Sequence, residues 1–364
     1  MKTRTWSDDT DAALADAAAR YLGERYRFDT RQRLDAAAHR FSPACWRDLA
    51  DMGWFSVATP EAAGGLGLRL SSICLLAEAA GRSLLTEPFV SAGVVAPFIV
   101  AQHGSAAQRD LLLPAIHGGE KRVVPVLGQG DAAGLREEAG ALHGRQAVAI
   151  DLDIADLLLV RTGDDPARAT FWIVDPQAAG CRLARYPLLD GRGAATLELE
   201  GAPAVRLGEG AGDARAALRL GALATAADSL GAMSAAFELT LDYLKTRRQF
   251  GAPLGTYQAL QHRAVDMHIA LGECRALLEQ AVASLQAGAP QAARDVHAAK
   301  SVIGEAARRV TQEAIQLHGG IGVTEEYAAS HYLRRARVNE QLYGSAEQHF
   351  QAFAALAGDA PDAF

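Results

Sequence analysis

Apolar residues change their spacing twice along this 364-residue chain, and few folds accommodate that order. From Asp8 to about Gly118 the spacing is helical, three and four residues apart. Ser42-Pro43 reads as an N-cap followed by proline at the first helical position, ahead of a helix over 44–52. Further helices are predicted at about 70–83, 90–102 and 105–117. Between Lys121 and Leu207, short apolar runs at 123–127, 147–150, 157–160, 170–174 and 195–199 are separated by Gly, Asp and Pro, as strands are. After Gly208 the helical spacing returns and lengthens. A helix over about 213–245 carries Leu223, Ala226, Leu230, Met233, Phe237, Leu241 and Leu244 on one stripe, and the next carries Leu260, Ala264, Met267, Leu271, Cys274, Leu278, Ala281 and Leu285. Such seams build helix bundles. Helices over about 290–317, 324–338 and 344–356 follow, and 358–364 reads as a frayed tail.

The fold class is therefore α+β and multi-domain: an N-terminal helical domain over 1–120, a middle β domain over 121–208 and a C-terminal four-helix bundle domain over 209–364. Alanine, about a fifth of the chain, favours long, closely packed helices. A net charge of −7 argues against nucleic acid or an anionic membrane as a general partner, so any anionic ligand must be held by local basic clusters. Cys45, Cys74, Cys181 and Cys274 form no C-x-x-C pair, which indicates neither a zinc site nor a disulfide framework. The acidic N-terminus lacks the apolar core of a signal peptide, and the apolar stretch from Ala92 to Ala101 is interrupted by Pro97 and too short to span a bilayer. The expectation is a cytoplasmic protein without membrane insertion.

Chemistry-bearing residues concentrate in the C-terminal part. Arg247-Arg248-Gln249-Phe250-Gly251-Ala252-Pro253-Leu254, followed by Gln258, His262 and Ala264-Val265-Asp266-Met267, resembles the R-x-x-F-G-x-P-[LI]…Q…H…A-D-M signature of the acyl-CoA dehydrogenases. Gln316-Leu317-His318-Gly319-Gly320-Ile321-Gly322-Val323-Thr324-Glu325-Glu326 is similar to that family's Q-x-x-G-G-x-G-x-x-x-E motif. Trp46, Gly53 and the run from Thr59 to Gly67 match its W…G…P-E-x-x-G-G-x-G stretch. The resemblance implies the family's fold, with a middle β-barrel, and FAD as cofactor. It also implies dehydrogenation of an acyl-CoA thioester, a homo- or hetero-oligomer, and an electron-transferring flavoprotein as acceptor.

By the same resemblance Arg247 meets the flavin pyrophosphate from a neighbouring subunit, Gln249 reaches the same phosphates, Phe250 packs beside the cofactor, and Gln258 belongs to the cofactor set. Gln316, Gly319 and Gly320 match residues whose amide and backbone meet the pyrophosphate and ribitol. Ser345 and Glu347 match a segment near the adenine. Read from the residues alone, Arg247 is also a helix-end cation, the glycines an interhelical turn, and Ser345 with Glu347 an N-cap and first turn.

The family removes the proton α to the thioester with a glutamate found at one of two positions. Here those positions hold Tyr343 and Gly221. A phenol titrates near 10, so tyrosine does not simply replace a carboxylate as base. Asp228, seven residues beyond Gly221, and Glu340, one turn before Tyr343, are weaker substitutes. The middle domain departs too: Val126-Leu127-Gly128-Gln129-Gly130-Asp131 and Arg145-Gln146-Ala147-Val148-Ala149 stand where catalytic members show T-E-P-x-A-G-S-D and a tryptophan-bearing strand. These losses resemble the small subunits of two-component acyl-CoA dehydrogenases, in which a larger homologue supplies the glutamate. A homomeric flavoenzyme with an atypical base, and a non-catalytic member that has lost FAD, are the alternatives. A di-iron bundle needs paired Glu-x-x-His motifs; no glutamate here has histidine three residues later, so no metal is expected.

Overall fold

A computed structural model describes residues 8–35, 41–128 and 134–357. Gln129-Gly130-Asp131 and the tail beyond 357 lie outside the described residues. The chain opens with α1 (Asp9–Arg25), α2 (Phe28–Asp35), α3 (Pro43–Asp51) and α4 (Leu70–Arg82). A π-helical segment, Phe89–Val95, runs into α5 (Ala96–His103), and α6 (Ala106–His117) follows. Ser42 caps α3 as its sequence suggests, its Oγ accepting the Cys45 amide at 3.2 Å, with Pro43 at the first helical position. The strands are β1 (Val123–Val126), β2 (Arg136–Glu138), β3 (Ala141–Ile150), β4 (Leu157–Thr162), β5 (Thr170–Val174), β6 (Cys181–Pro187), β7 (Gly193–Pro203) and β8 (Val205–Arg206). Helix α7 (Arg215–Thr246), a hairpin of β9 (Arg248–Gln249) and β10 (Ala252–Pro253), then α8 (Gln258–Gln286), α9 (Ala292–His318), α10 (Ala329–Gln341) and α11 (Ala346–Ala357) complete the chain.

Contacts group the described residues into two compact units, one of 8–31, 74–85 and 222–357, the other of 32–35, 41–73, 86–128 and 134–221. In the second unit the strands form two four-stranded sheets, ordered β1-β4-β5-β8 and β2-β3-β7-β6. The middle region is thus not the closed barrel that the resemblance implied. Among the described residues only β1 and β4 pair in parallel, the rest antiparallel, and register shifts in β3 at Leu142/His143 and Gln146/Ala149 break its ladder with β7. Such irregularities bend a strand locally without carrying its pairing onto another sheet. In the same unit Trp46 stacks on Phe55 with centroids 4.0 Å apart and donates Nε1–H to the Gly119 carbonyl at 3.0 Å. The Thr59–Gly67 turn needs its glycines: Gly64 and Gly67 have φ of 77° and 56°, and a Cβ on Gly65 would meet the Thr59 carbonyl oxygen at 2.1 Å.

In the first unit α8, α10 and α11 all pack on α9. Helix α7 is long and apolar enough to cross a membrane, yet 83% of its apolar window is buried in the fold, which makes it a core helix. Leu223, Ala226, Leu230 and Met233 are all buried, as their stripe requires. Backbones of α4 and α7 touch: a Cβ on Gly81 would meet the Asp228 carbonyl oxygen at 1.9 Å, and one on Gly231 the Glu78 carbonyl oxygen at 2.0 Å.

Candidate cofactor site

Thr246 ends α7, and the β9–β10 hairpin turns the chain back toward α8. Phe250 and Gly251 form its tip with φ of 53° and 85°. Tyr257 anchors the tip by donating its hydroxyl to the Gln249 and Phe250 carbonyls, both at 3.2 Å. Phe250 is consequently held out in solvent, 90% exposed. Arg247 and Gln249 are exposed beside it, and Gln258 opens α8 just beyond.

Gln316 lies in the last turn of α9, exposed. His318 is buried there, its Nδ1–H donating to the Ala314 carbonyl at 2.7 Å while Nε2 accepts from the Tyr327 hydroxyl at 3.1 Å. Burial lowers the imidazole's pKa, in keeping with that neutral tautomer. The His318 ring also packs against Tyr243 of α7, centroids 4.5 Å apart, and Tyr243 accepts the Arg247 amide at 2.8 Å. These contacts bring the end of α7, just before Arg247, Gln249 and Phe250, to the end of α9, which holds Gln316 and is followed by Gly319 and Gly320.

The two glycines differ. Gly319 has φ 65° and ψ −140°, a conformation open essentially to glycine alone. Gly320 has ordinary φ, and a Cβ there would meet nothing within 4 Å. Among the described residues nothing crowds position 320. An exposed arginine, exposed amides and an open glycine are what a dinucleotide pyrophosphate needs.

Ser345 and Glu347 lie elsewhere. Their turn packs on α9 at Gly304, where a Cβ would stand 3.3 Å from that of Ala346. That is twelve residues from Gln316, about 18 Å along a helix. Ser345 caps α11: its Oγ accepts the Gln348 amide at 3.2 Å and Gln348 Oε1 accepts the Ser345 amide at 2.8 Å. Glu347 is exposed in the first turn and accepts from Gln351 at 2.9 Å.

Both substitutes for the expected glutamate are engaged by cationic side chains. Asp228, 2% exposed, is held by Arg335 and by Asn339, whose Nδ2 donates at 2.6 Å. Glu340 pairs with Arg337 at 2.6 Å. Tyr343 is buried with φ 55°, and Gly221 is buried in α7. On β3, Gln146 is buried and its Nε2 donates to the Val148 carbonyl at 3.2 Å, while Val148 is exposed. His262 and Asp266 are both exposed, and among the described residues no group of three or more His, Cys, Asp or Glu is placed to hold a metal.

Sequence reasoning missed two buried polar clusters. His297, Lys300 and His349 lie between α9 and the α10–α11 turn; the spacing of His297 and Lys300 on an otherwise apolar helix face is a signal that was present. In the second unit Asp151 accepts the Ser91 hydroxyl, with Asp153, Asp190 and Arg192 nearby.

The N-terminal domain pattern of the acyl-CoA dehydrogenases matches residues 8–120, and their C-terminal domain pattern matches 208–356. Acyl-CoA dehydrogenase FadE27 of Mycobacterium tuberculosis is 31% identical over 336 residues, covering 86% of this chain and 87% of the relative. Mitochondrial isobutyryl-CoA dehydrogenase of Bos taurus is 31% identical over 324 residues, covering 83% and 78%. Among solved structures, the Tcur3481-Tcur3483 steroid ACAD G363A variant superposes with a TM-score of 0.87 at 31% identity, over 96% of this chain and 98% of that one. The ChsE4-ChsE5 complex from Mycobacterium tuberculosis shares the fold, with a TM-score of 0.90 at 24% identity over 98% and 99%.

Proposed function

The chain belongs to the acyl-CoA dehydrogenase family, and from that premise we propose that it is one subunit of a hetero-oligomeric, FAD-dependent enzyme that dehydrogenates a bulky acyl-CoA at the α,β carbons. One observation carries the reading: Arg247, Gln249, Gln316 and Gly320 are exposed near the ends of α7 and α9, while positions 221 and 343, where the resemblance leads one to expect a glutamate, hold Gly and Tyr. A homologous partner then supplies the base. The similarity to a structure described as a steroid ACAD with two named components supports both the pairing and the bulk of the substrate. The same reading divides the chain at 120/121 and 208/209, and takes an electron-transferring flavoprotein as acceptor and the cytoplasm as its place.

FAD, when bound, supplies the hydride acceptor. Arg247 would neutralise pyrophosphate charge, with Gln249 and Gln316 donating amide hydrogens to its oxygens. Gly320 would let the backbone approach, and Phe250 would cover the cofactor from water. Gln258 would complete this end of the site. Ser345 and Glu347, about 18 Å along α9, would serve the adenine end of a cofactor shared between two chains.

The test is the visible spectrum of the purified chain, alone and co-expressed with a larger homologue encoded beside it. Yellow colour and acyl-CoA bleaching only in the co-expressed preparation are expected. A yellow lone chain bleached by an acyl-CoA overturns the hetero-oligomer in favour of a homomer, and two colourless preparations overturn the flavoprotein reading.

A further inference from the structure

Helix α9 turns a buried face, His297, Lys300 and Gly304, toward the segment joining α10 to α11. Lys300 Nζ donates to the Asn339 carbonyl at 2.7 Å, at the end of α10. His297 Nδ1 lies 2.8 Å from His349 Nδ1, with both side chains at most 1% exposed. The segment between is conformationally costly. Tyr343 has φ 55°, a left-handed conformation that is unfavourable for an L-residue and persists where surroundings hold it. His349 is the hold: its Nε2 stands 2.8 Å from the Tyr343 carbonyl oxygen.

A carbonyl only accepts, so His349 Nε2 carries a proton. In a neutral ring Nδ1 is then an acceptor, and His297 Nδ1 donates to it. Should His349 be protonated, the proton between the two Nδ1 atoms comes from its own ring instead. In either case one proton lies between the rings and the Tyr343 carbonyl keeps its donor.

We propose that His349, oriented by His297, is a positioning residue that locks the Tyr343–Gly344 turn and thereby sets the start of α11, where Ser345 and Glu347 stand. What that turn presents to a cofactor rests on the flavin reading above. Being buried, neither histidine touches ligand; both act through the turn.

The test compares His349→Gln with His349→Asn in the full chain. The glutamine amide nitrogen reaches the place of His Nε2, whereas that of asparagine reaches only the place of Nδ1. Hydrogen exchange followed by mass spectrometry over 342–349 reads the turn, because the Leu342 and Ser345 amides are bonded at 3.2 and 2.8 Å. Exchange roughly tenfold faster in the Asn chain and unchanged in the Gln chain is expected. An Asn chain that fails to fold beside a wild-type-like Gln chain is the same result at larger amplitude. Equal exchange in the two variants, or failure of both to fold, overturns the lock. Flavin titration of the co-expressed protein reads the consequence: affinity about tenfold weaker in the Asn variant alone is expected, and unchanged affinity with an opened turn overturns the role toward cofactor. A wild type that takes up no flavin in any preparation counts against the proposed function, while the exchange comparison still decides the lock.

Discussion

Asp228 and Arg335 form a bidentate ion pair between α7 and α10, Nε to Oδ1 at 2.9 Å and Nη2 to Oδ2 at 2.6 Å, with side chains 2% and 4% exposed. Sequence spacing alone offers Asp228 as a base; the geometry makes it structural. Asp228→Asn removes the carboxylate charge from this buried ion pair, a loss of about 3 kcal/mol or more. Urea unfolding is expected to show it, with turnover per folded molecule little changed. A fully stable Asp228→Asn chain without turnover would assign the carboxylate to catalysis instead.

Tyr343 stands at one of the two positions where the resemblance leads one to expect the catalytic glutamate. If the partner subunit supplies that base, Tyr343→Phe in the assembled enzyme keeps kcat within about twofold, because no proton passes through the phenol. Steady-state kinetics with the same acyl-CoA checks this. A loss of several orders of magnitude would make the phenol the atypical base of a different mechanism.

Lys300 is buried against the Asn339 carbonyl, and burial pushes its pKa down to about 7, with Glu340 opposing the shift. The unfolded chain then holds an extra proton between about 7 and the ordinary lysine value near 10.4, so this residue makes stability rise with pH across that window. Lys300→Met removes the contribution. Thermal unfolding at pH 7 and pH 9 is expected to show a smaller gain for the variant than for the wild type.

Asp151 has the opposite sign. Desolvation pushes its carboxyl up to about 7 despite Arg192 and the Ser91 hydroxyl, and Asp153 and Asp190 add to the rise. The folded chain keeps a proton that the unfolded chain releases above about 4, so stability falls as pH rises from about 4 to 7 and the penalty is complete above it. Asparagine suits the left-handed backbone there, φ 64°. Asp151→Asn is expected to melt higher than wild type at pH 8 and to lose the advantage near pH 4. A variant less stable at pH 8 would show that the ionised carboxylate is favourable.

The helices were legible because burial imposes a period, and α3 began where Ser42-Pro43 said. β6 was not: Cys181–Pro187 has few fully apolar positions and half-buried alternation, and it is recruited by its neighbour β7. The open sheets were also invisible, since pairing between distant strands leaves little local trace. At the candidate site, short motifs located the α7 and α9 ends. What they could not show was how far apart along α9 those ends and the Ser345 turn lie, or that Asp228 is already engaged by Arg335 and Asn339.

Gly319 and Gly320 look interchangeable in sequence and answer to different selective forces. The first is written into the folding of a single chain: any side chain at 319 is strained before assembly begins. The second is silent to folding, since a methyl group at 320 enters empty space. A survey of variants scored by expression or melting would therefore map 319 and pass over 320. On the flavin reading proposed above, only an assay of the loaded, assembled protein would find the second glycine, so a library screened for robustness would preserve 319 and drift at 320.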